Sequence, residues 1–270
     1  MPIGVVHLVR RVNGLEPYRT FIRSLRAALP MDDWRLVLVF KGFAEGEATD
    51  WLAEVADLPV NALYISDGGL DVSAYFAAAK QIDFEPLVFF NSFSKIIAPR
   101  WFELLTRTLA DPGVGLVGAT GSLESFVRNH VEYARSAHGI AKAKYLAISV
   151  ALRPLFPPFP NPHVRTNAFA IRREHFLATQ KFPVGNKLMA WFYESGWLSL
   201  TRQIKARGLR AVIVDRDGAV LGPEEWPNAS VFRSGAQDKV LVDDNRLREY
   251  ANATPERKAM LRWLAFGQRV

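Results

Sequence analysis

The stretch "PLVFFNSFSKI", residues 86 to 96, sets four apolar residues, Leu87 to Phe90, against the polar cluster Asn91-Ser92-Phe93-Ser94. A short apolar run bounded by turn residues reads as a buried strand. Open α/β sheets bind their ligands in the crevice outside the carboxyl ends of such strands. The cluster offers amide and hydroxyl groups, which are neutral dipoles and carry no carboxylate. A second cluster, Arg165-Thr166-Asn167, follows a proline-rich loop and precedes another apolar run. Arg165 is suited to clamp a phosphate through two parallel N–H donors. Asn167 serves there either as a pocket residue or as a partner for loop backbone groups. Arg10, Arg11 and Lys41 sit just past the ends of two further apolar runs, as fixed cations or as solvated loop residues.

Several other chemistries find no support. The chain has no cysteine, which excludes disulfides and thiolate metal sites and fits a reducing compartment. His7, His130, His138, His163 and His175 form no i,i+4 metal pair on a helix, and most of them read as surface or internally satisfied residues. No serine sits in a Gly-x-Ser-x-Gly elbow. The glycine turn from Gly118 to Ser122 lacks a lysine and the Walker spacing. The net charge is +7, but the arginines are scattered and no nucleic-acid motif accompanies them, so no nucleic-acid partner is expected. A phosphorylated small substrate or an anionic membrane surface remains. The first apolar stretch, Gly4 to Val9, is too short for a signal peptide's core. No apolar window reaches the ~18 residues of a membrane span. A cytoplasmic protein is expected, with peripheral contact to the inner face of the membrane as an added option.

The elements that must position these residues follow from periodicity. Apolar runs at Val5–Val9, Leu36–Phe40, Ala62–Ile65, Leu87–Phe90 and Val114–Val117 read as strands. Helices lie between them: one opened by Pro17 with Tyr18, Phe21, Ile22, Leu25 and Leu29 at helical spacing, a short one capped by Thr49, Asp71–Gln81, and one from Pro99 to about Leu109. This alternation means βαβ units and a mainly parallel sheet covered on both faces. In the second half, Ser125 to Val150 reads as one or two helices and "RPLFPPFPNPHVRTN" as an extended loop. Ala168–Ile171 is a strand candidate, and Tyr193 to Arg207 a helix with Trp197, Leu200 and Ile204 on one face, stopped by Gly208. A strand at Ala211–Val214 and a final helix capped by Thr254, with Pro255 first, complete the series. The expected class is α/β: a doubly wound, mainly parallel sheet flanked by helices, with a C-terminal helical and loop extension.

The order of these features resembles the GT-A glycosyltransferases, glycosyltransferase family 2 in particular, over about residues 4 to 215. "GVVHLVRRVNGLEPYRTFIRSL" is similar to that family's opening strand, asparagine-containing loop and first helix. "YISDGGLDVSAYFAAAKQIDFEPLVFFNSFS" resembles its glycine turn, helix and fourth strand. "RTNAFAIRREHF" looks like the segment where the sheet resumes, and "WFYESGWLSLTRQIKARGLRAVIVD" like the acidic residue opening a helix before a final strand. The resemblance implies a GT-A-like domain over 1–230, with a nucleotide-sugar half (1–121) and an acceptor half (122–230), followed by a lid or helix extension over 231–270. It implies inverting transfer of a sugar from a nucleotide sugar to a glycan, lipid-linked or protein acceptor, as in polysaccharide biosynthesis. Glu194, at the family's acidic position, would take the acceptor hydroxyl's proton. The rival reading of Glu194 is a helix-start glutamate stabilised by the macrodipole.

The sequence departs from that family at two points. Where the family has Asp-x-Asp holding a divalent cation, Asn91 to Phe93, or Ser92 to Ser94, supply no carboxylate. Where it has an acidic base-reading turn, this chain has Lys41-Gly42-Phe43. The implied donor residues are Arg10, Asn13, Lys41, Asp71, Asn91, Ser92 and Ser94, and the acceptor or phosphate residues Arg165 and Asn167. Either a Mg or Mn cation is held by an atypical set, or arginine and lysine neutralise the diphosphate without a metal. Asp67 reads as turn chemistry. "FRSGAQDKVLVDDNRLREY" reads as a lid with Arg233 and Gln237 facing inward, or as a solvated linker. "HGIAKAKYLAISVALRPLFPPF" joins basic to apolar residues, as an interfacial helix does, or packs on the sheet. A rival of another class is a GT-A-shaped binding or scaffold protein without catalysis. Nucleotidyl transfer is a third, needing acidic metal ligands that the sequence does not place.

Overall fold

The structure is a computed structural model and describes residues 1–268. Runs of β-branched and large apolar residues form its strands. In chain order these are β1 (Ile3–Arg10), β2 (Trp34–Lys41), β3 (Val60–Ile65), β4 (Leu87–Phe90), β5 (Lys95–Ile96) and β6 (Val114–Gly118). The two-residue strands β7 (Gly121–Ser122) and β8 (His163–Val164) come next. β9 (Ala168–Ile171), β10 (Arg210–Val214), β11 (Val220–Leu221) and β12 (Val242–Asp243) follow. Eight of them make one sheet in the order β11-β10-β6-β9-β4-β1-β2-β3. β1 runs parallel to β2 and β4, β2 to β3, and β6 to β10. β9 runs antiparallel to both its neighbours, β4 and β6. The sheet is mainly parallel, as expected, with a reversed strand at its centre.

Helices cover both faces. They are α1 (Leu15–Arg26), α2 (Thr49–Ala53), α3 (Asp71–Gln81), α4 (Trp101–Ala110), α5 (Phe126–Ser136) and α6 (Gly139–Leu152). Then come α7 (Arg173–Leu177), α8 (Lys187–Ser195), α9 (Leu200–Lys205), α10 (Asn245–Ala251) and α11 (Pro255–Phe266). Tyr18, Phe21 and Leu25 of α1 and Trp101 and Leu105 of α4 pack with Val5, Leu36 and Phe90 on one face. Tyr75 and Phe76 of α3, Phe176 of α7 and Ile204 of α9 pack with Val6, Leu8 and Phe89 on the other. Each such side chain, fully buried, contributes roughly 1.5–3 kcal/mol. Because strand neighbours alternate between faces, β1 feeds both layers.

Three local expectations are corrected. The Tyr193–Arg207 helix is two helices, α8 and α9, separated by Gly196 to Ser199. A Cβ on Gly196 would lie 2.2 Å from Phe192 Cδ2, and the Ser199 side chain caps α9 by accepting from Arg202 N. Ala48 rather than Thr49 is the residue preceding α2, since the Thr49 hydroxyl donates back to Gly46 O at 2.6 Å. Leu29 lies beyond α1 and is exposed. His7 is fully buried, stacked on Phe21 at 3.7 Å, with no hydrogen-bond partner on either nitrogen among the described residues.

The chain from 231 onward is built into the core rather than solvated. β12 pairs antiparallel with β5, and Leu241, Val242, Leu247 and Phe266 are buried. Arg233 and Gln237 face inward, both in the left-handed backbone region, where Gln237 Oε1 accepts from Arg233 N at 2.8 Å. Thr254 caps α11, with Pro255 first.

Candidate active site

The reversed strand brings the two polar clusters together. Because β9 is antiparallel, its first residue, Ala168, pairs with Phe90, the last of β4. Asn91 N then donates to Asn167 O at 2.9 Å. Ser94 Oγ lies 2.9 Å from Asn91 Oδ1 and 3.1 Å from Asn167 O. Thr120 Oγ1 donates to Asn167 Oδ1 at 2.7 Å and accepts from Arg165 Nη1 at 3.1 Å. One hydrogen-bonded knot thus joins the ends of β4 and β6 to the start of β9.

Beside this knot opens a cavity of about 530 Å³. Asp71, Asn91, Arg165, Asn167 and Glu194, all singled out by sequence, line it. Ser92, Ser94 and Lys41 are buried outside its wall, and Arg10 and Asn13, partly exposed at the end of β1 and just beyond it, do not line it either. Ser94 spends its hydroxyl on the knot, while Ser92 Oγ has no partner. Lys41 is sealed from solvent, and its ammonium donates to Gly69 O, 3.9 Å from Asp67 Oδ1. Arg10 is a quarter exposed, 3.6 Å from Asp67, with its Nε unpartnered; Asn13 Nδ2 also lacks a partner.

Glu194 stands in the last turn of α8, not at a helix start, so the macrodipole there disfavours a carboxylate instead of stabilising it. It faces the cavity and accepts a hydrogen bond from the Thr166 hydroxyl. Burial pushes its pKa up, the Thr166 hydrogen bond opposes this, and the Asp71 charge adds to the rise. Burial likewise raises Asp71, while Arg10 and Lys41 pull it back. A carboxyl whose pKa burial raises, aimed into a cavity, is suited to accept a proton from a bound hydroxyl.

Sequence reasoning missed much of the far wall. Glu124, just before α5, and Asn129 and Tyr133 on it reach the wall, and Arg246 and Glu249 reach it from α10. His163 lines it as a buried imidazole whose pKa burial lowers. Arg233 is nearly buried between Glu124 and Glu249, at 3.6 Å from each. Arg165 is held by Asp244 at 2.9 Å and lies over the Phe232 ring at 4.1 Å. These contacts join residues far apart in sequence, and no local pattern announces them.

The donor set does not fit a divalent cation. Asn91 Oδ1 already accepts from Phe93 N at 3.1 Å and faces the Ser94 hydroxyl. Among the described residues no group of three or more His, Asp or Glu side chains is placed to hold a metal. Hard divalent cations call for several charged oxygens, and the tip of β4 supplies none.

No family model matches the chain, and no curated protein matches it in sequence. Solved structures do match in shape. A mannosyltransferase from Pyrobaculum calidifontis, in complex with GDP-Man and Mn²⁺, aligns with a TM-score of 0.52 at 16% identity, covering 85% of this chain and 59% of that one. This chain therefore spans less than two thirds of the mannosyltransferase. Glucosyl-3-phosphoglycerate synthase from Mycobacterium tuberculosis, in complex with Mn²⁺, UDP-Glc and phosphoglyceric acid, aligns at 0.46 and 18% identity, covering 78% and 68%. The architecture is that of the GT-A fold, and the likeness at these identities is one of fold. No helix among the described residues is long and apolar enough to cross a membrane.

Proposed function

We propose that this chain is a glycosyltransferase that moves a sugar from a nucleotide sugar to a hydroxyl of a glycan, lipid-linked or protein acceptor, with inversion. The observation that carries the reading is Glu194, a carboxyl raised by burial and facing a cavity at the β4 tip of a GT-A fold. Glu194 takes the proton of the acceptor hydroxyl as that oxygen bonds to the anomeric carbon. The bond from that carbon to the diphosphate breaks, and the nucleoside diphosphate leaves with the electron pair. Asp71, at the start of α3, hydrogen-bonds a donor sugar hydroxyl, and Asn91 orients the donor from the tip of β4. Arg10 and Asn13, both partly exposed, supply donors to the diphosphate, while Lys41 is committed to Gly69. Arg165 and Asn167 form the acceptor side, and residues 231–268 close it. The mannosyltransferase of like fold was crystallised with Mn²⁺. The donor set here favours metal-free neutralisation by arginine over a Mg or Mn site.

A panel of UDP- and GDP-sugars, with Mn²⁺ or with EDTA, tests this by calorimetric binding and by slow donor hydrolysis. Binding of at least one donor and hydrolysis lost in Glu194→Gln support transfer. Absence of binding across the panel rejects it. A second reading, a GT-A-shaped binding protein without catalysis, is favoured by the missing carboxylates at Asn91 to Ser94. It predicts that Glu194→Gln leaves ligand binding intact and that wild type hydrolyses no donor.

A further inference from the structure

α6 contributes no residue to the cavity wall. Its sequence, GIAKAKYLAISVAL, is mostly apolar, yet Ser149 is its one buried residue. Ile140 is 89% exposed, Val150 59% and Leu146 42%. A helix this apolar, with large apolar side chains left exposed, calls for a core or a lipid surface, and one side of it packs on α5, with Tyr145 5.7 Å from Tyr133. The exposed apolar surface continues past the helix. Trp197 N donates to Leu155 O at 3.0 Å and Trp197 Nε1 to Arg153 O at 3.3 Å, which fixes Trp197 and Leu198 at the C-terminal end of α6. Both are nearly half exposed.

Charge completes the pattern. From Tyr133 through Arg173 the chain contains no Asp or Glu. The exposed charges on α6 and at its C-terminal end are Lys142, Lys144 and Arg153, all cationic, while Arg135 on α5 is paired with Glu132 at 2.7 Å. Protein interfaces are depleted in lysine and anchored by aromatic and arginine side chains. α6 is the reverse, with lysines set among alanine, leucine and isoleucine. A bilayer surface takes both components at once: the apolar side chains enter the acyl boundary while the lysines reach anionic headgroups.

We propose that α6, with Trp197 and Leu198 at its end, is a docking surface for an anionic lipid bilayer and lies in the plane of the headgroups. This stands apart from the transfer reading. Its one consequence that rests on that reading is that a lipid-linked acceptor would meet a cavity whose wall includes Tyr133, the ring on which α6 packs.

The full chain is sedimented with vesicles of phosphatidylcholine, alone or with about 30% phosphatidylserine, at low and at physiological salt. The expected result is binding to the anionic vesicles that weakens with salt. Ile140→Ser, Leu146→Ser and Val150→Ser combined, all at exposed positions, are expected to lower partitioning more than about tenfold, and Lys142→Gln with Lys144→Gln about tenfold. Far-UV circular dichroism and melting check that both variants fold. No sedimentation of wild type with anionic vesicles, or undiminished binding in either variant, overturns the proposal. So does light scattering that shows a wild-type dimer which the triple variant converts to monomer, because a second copy would then cover the face. Donor binding titrated without vesicles reads the transfer hypothesis separately.

Discussion

Asp71, in the first turn of α3, and Glu194, in the last turn of α8, face one cavity, and the Asp71 charge helps to raise the Glu194 carboxyl. Burial is the larger cause, and the Thr166 hydroxyl opposes both. On the proposed transfer reading, burial and the Asp71 charge together shift the pH at which Glu194 becomes available as a base.

Thr166→Val removes a hydrogen bond that favours the ionised Glu194. The carboxyl then titrates at higher pH, so the acid limb of kcat/KM should move upward. Asp71→Asn removes a charge that disfavours ionisation, so the same limb should move downward. Glu194→Gln should lower kcat by about 10²-fold or more while donor binding persists. A pH–rate profile of the three variants checks all three signs. An acid limb that stays in place in both Thr166→Val and Asp71→Asn would mean that another group is the base.

Charge neutralisation by arginine predicts insensitivity to chelation. Donor affinity should change less than about twofold between Mn²⁺ and EDTA, because the β4 tip presents amide and hydroxyl oxygens rather than carboxylates. Arg10→Gln should weaken donor binding by about 10–100-fold, the worth of a charge-assisted hydrogen bond. Calorimetry in the two buffers decides it: binding abolished by EDTA would restore a metal to the site.

The pairing of Arg165 with Asp244 fastens the C-terminal segment to the cavity. Asp244 is fully buried, and its other oxygen accepts from Arg246 N and Leu247 N at 2.8 Å each, as the cap of α10. Asp244→Ala strands a partly buried guanidinium and uncaps a helix, so it should lower stability by ~3–5 kcal/mol. Asp244→Asn keeps an accepting oxygen for the cap and should lose less. Urea unfolding of the two variants against wild type measures the difference.

The strand ends at the site were legible because their patterns are local. Leu87–Phe90 and Ala168–Ile171 occupy the expected residues, since each is a continuous apolar run broken by polar neighbours. The direction of β9 was not legible, because it is set by pairing with β4 and β6, which lie far away in sequence. Glu194 was found, but its place on the helix was misread. The periodic signal through Trp197, Leu200 and Ile204 outweighed Gly196 and the capping Ser199, which mark the break. The segment from Phe232 to Tyr250 read as lid or linker because its charges look solvated along the chain. In the fold they meet Glu124 and Arg165 from other elements.

His7 offers a stability test independent of any activity. It lies on β1 against Phe21, and burial lowers its pKa from 6.5 to about 3. In the unfolded chain the imidazole takes up a proton as the pH falls through about 6.5, while the folded protein holds it neutral down to about 3. Its contribution to stability is therefore complete above the unfolded value and declines below it, by ~1.4 kcal/mol per pH unit across that window. His7→Leu removes the titration and two buried nitrogens that lack partners, so it should change stability little at neutral pH. Urea midpoints taken from about pH 7.5 down to about pH 4.5 should then fall less steeply in the variant than in wild type. Parallel slopes would show that the folded protein protonates His7 as readily as the unfolded chain does, which a sealed ring without a hydrogen-bond acceptor does not permit.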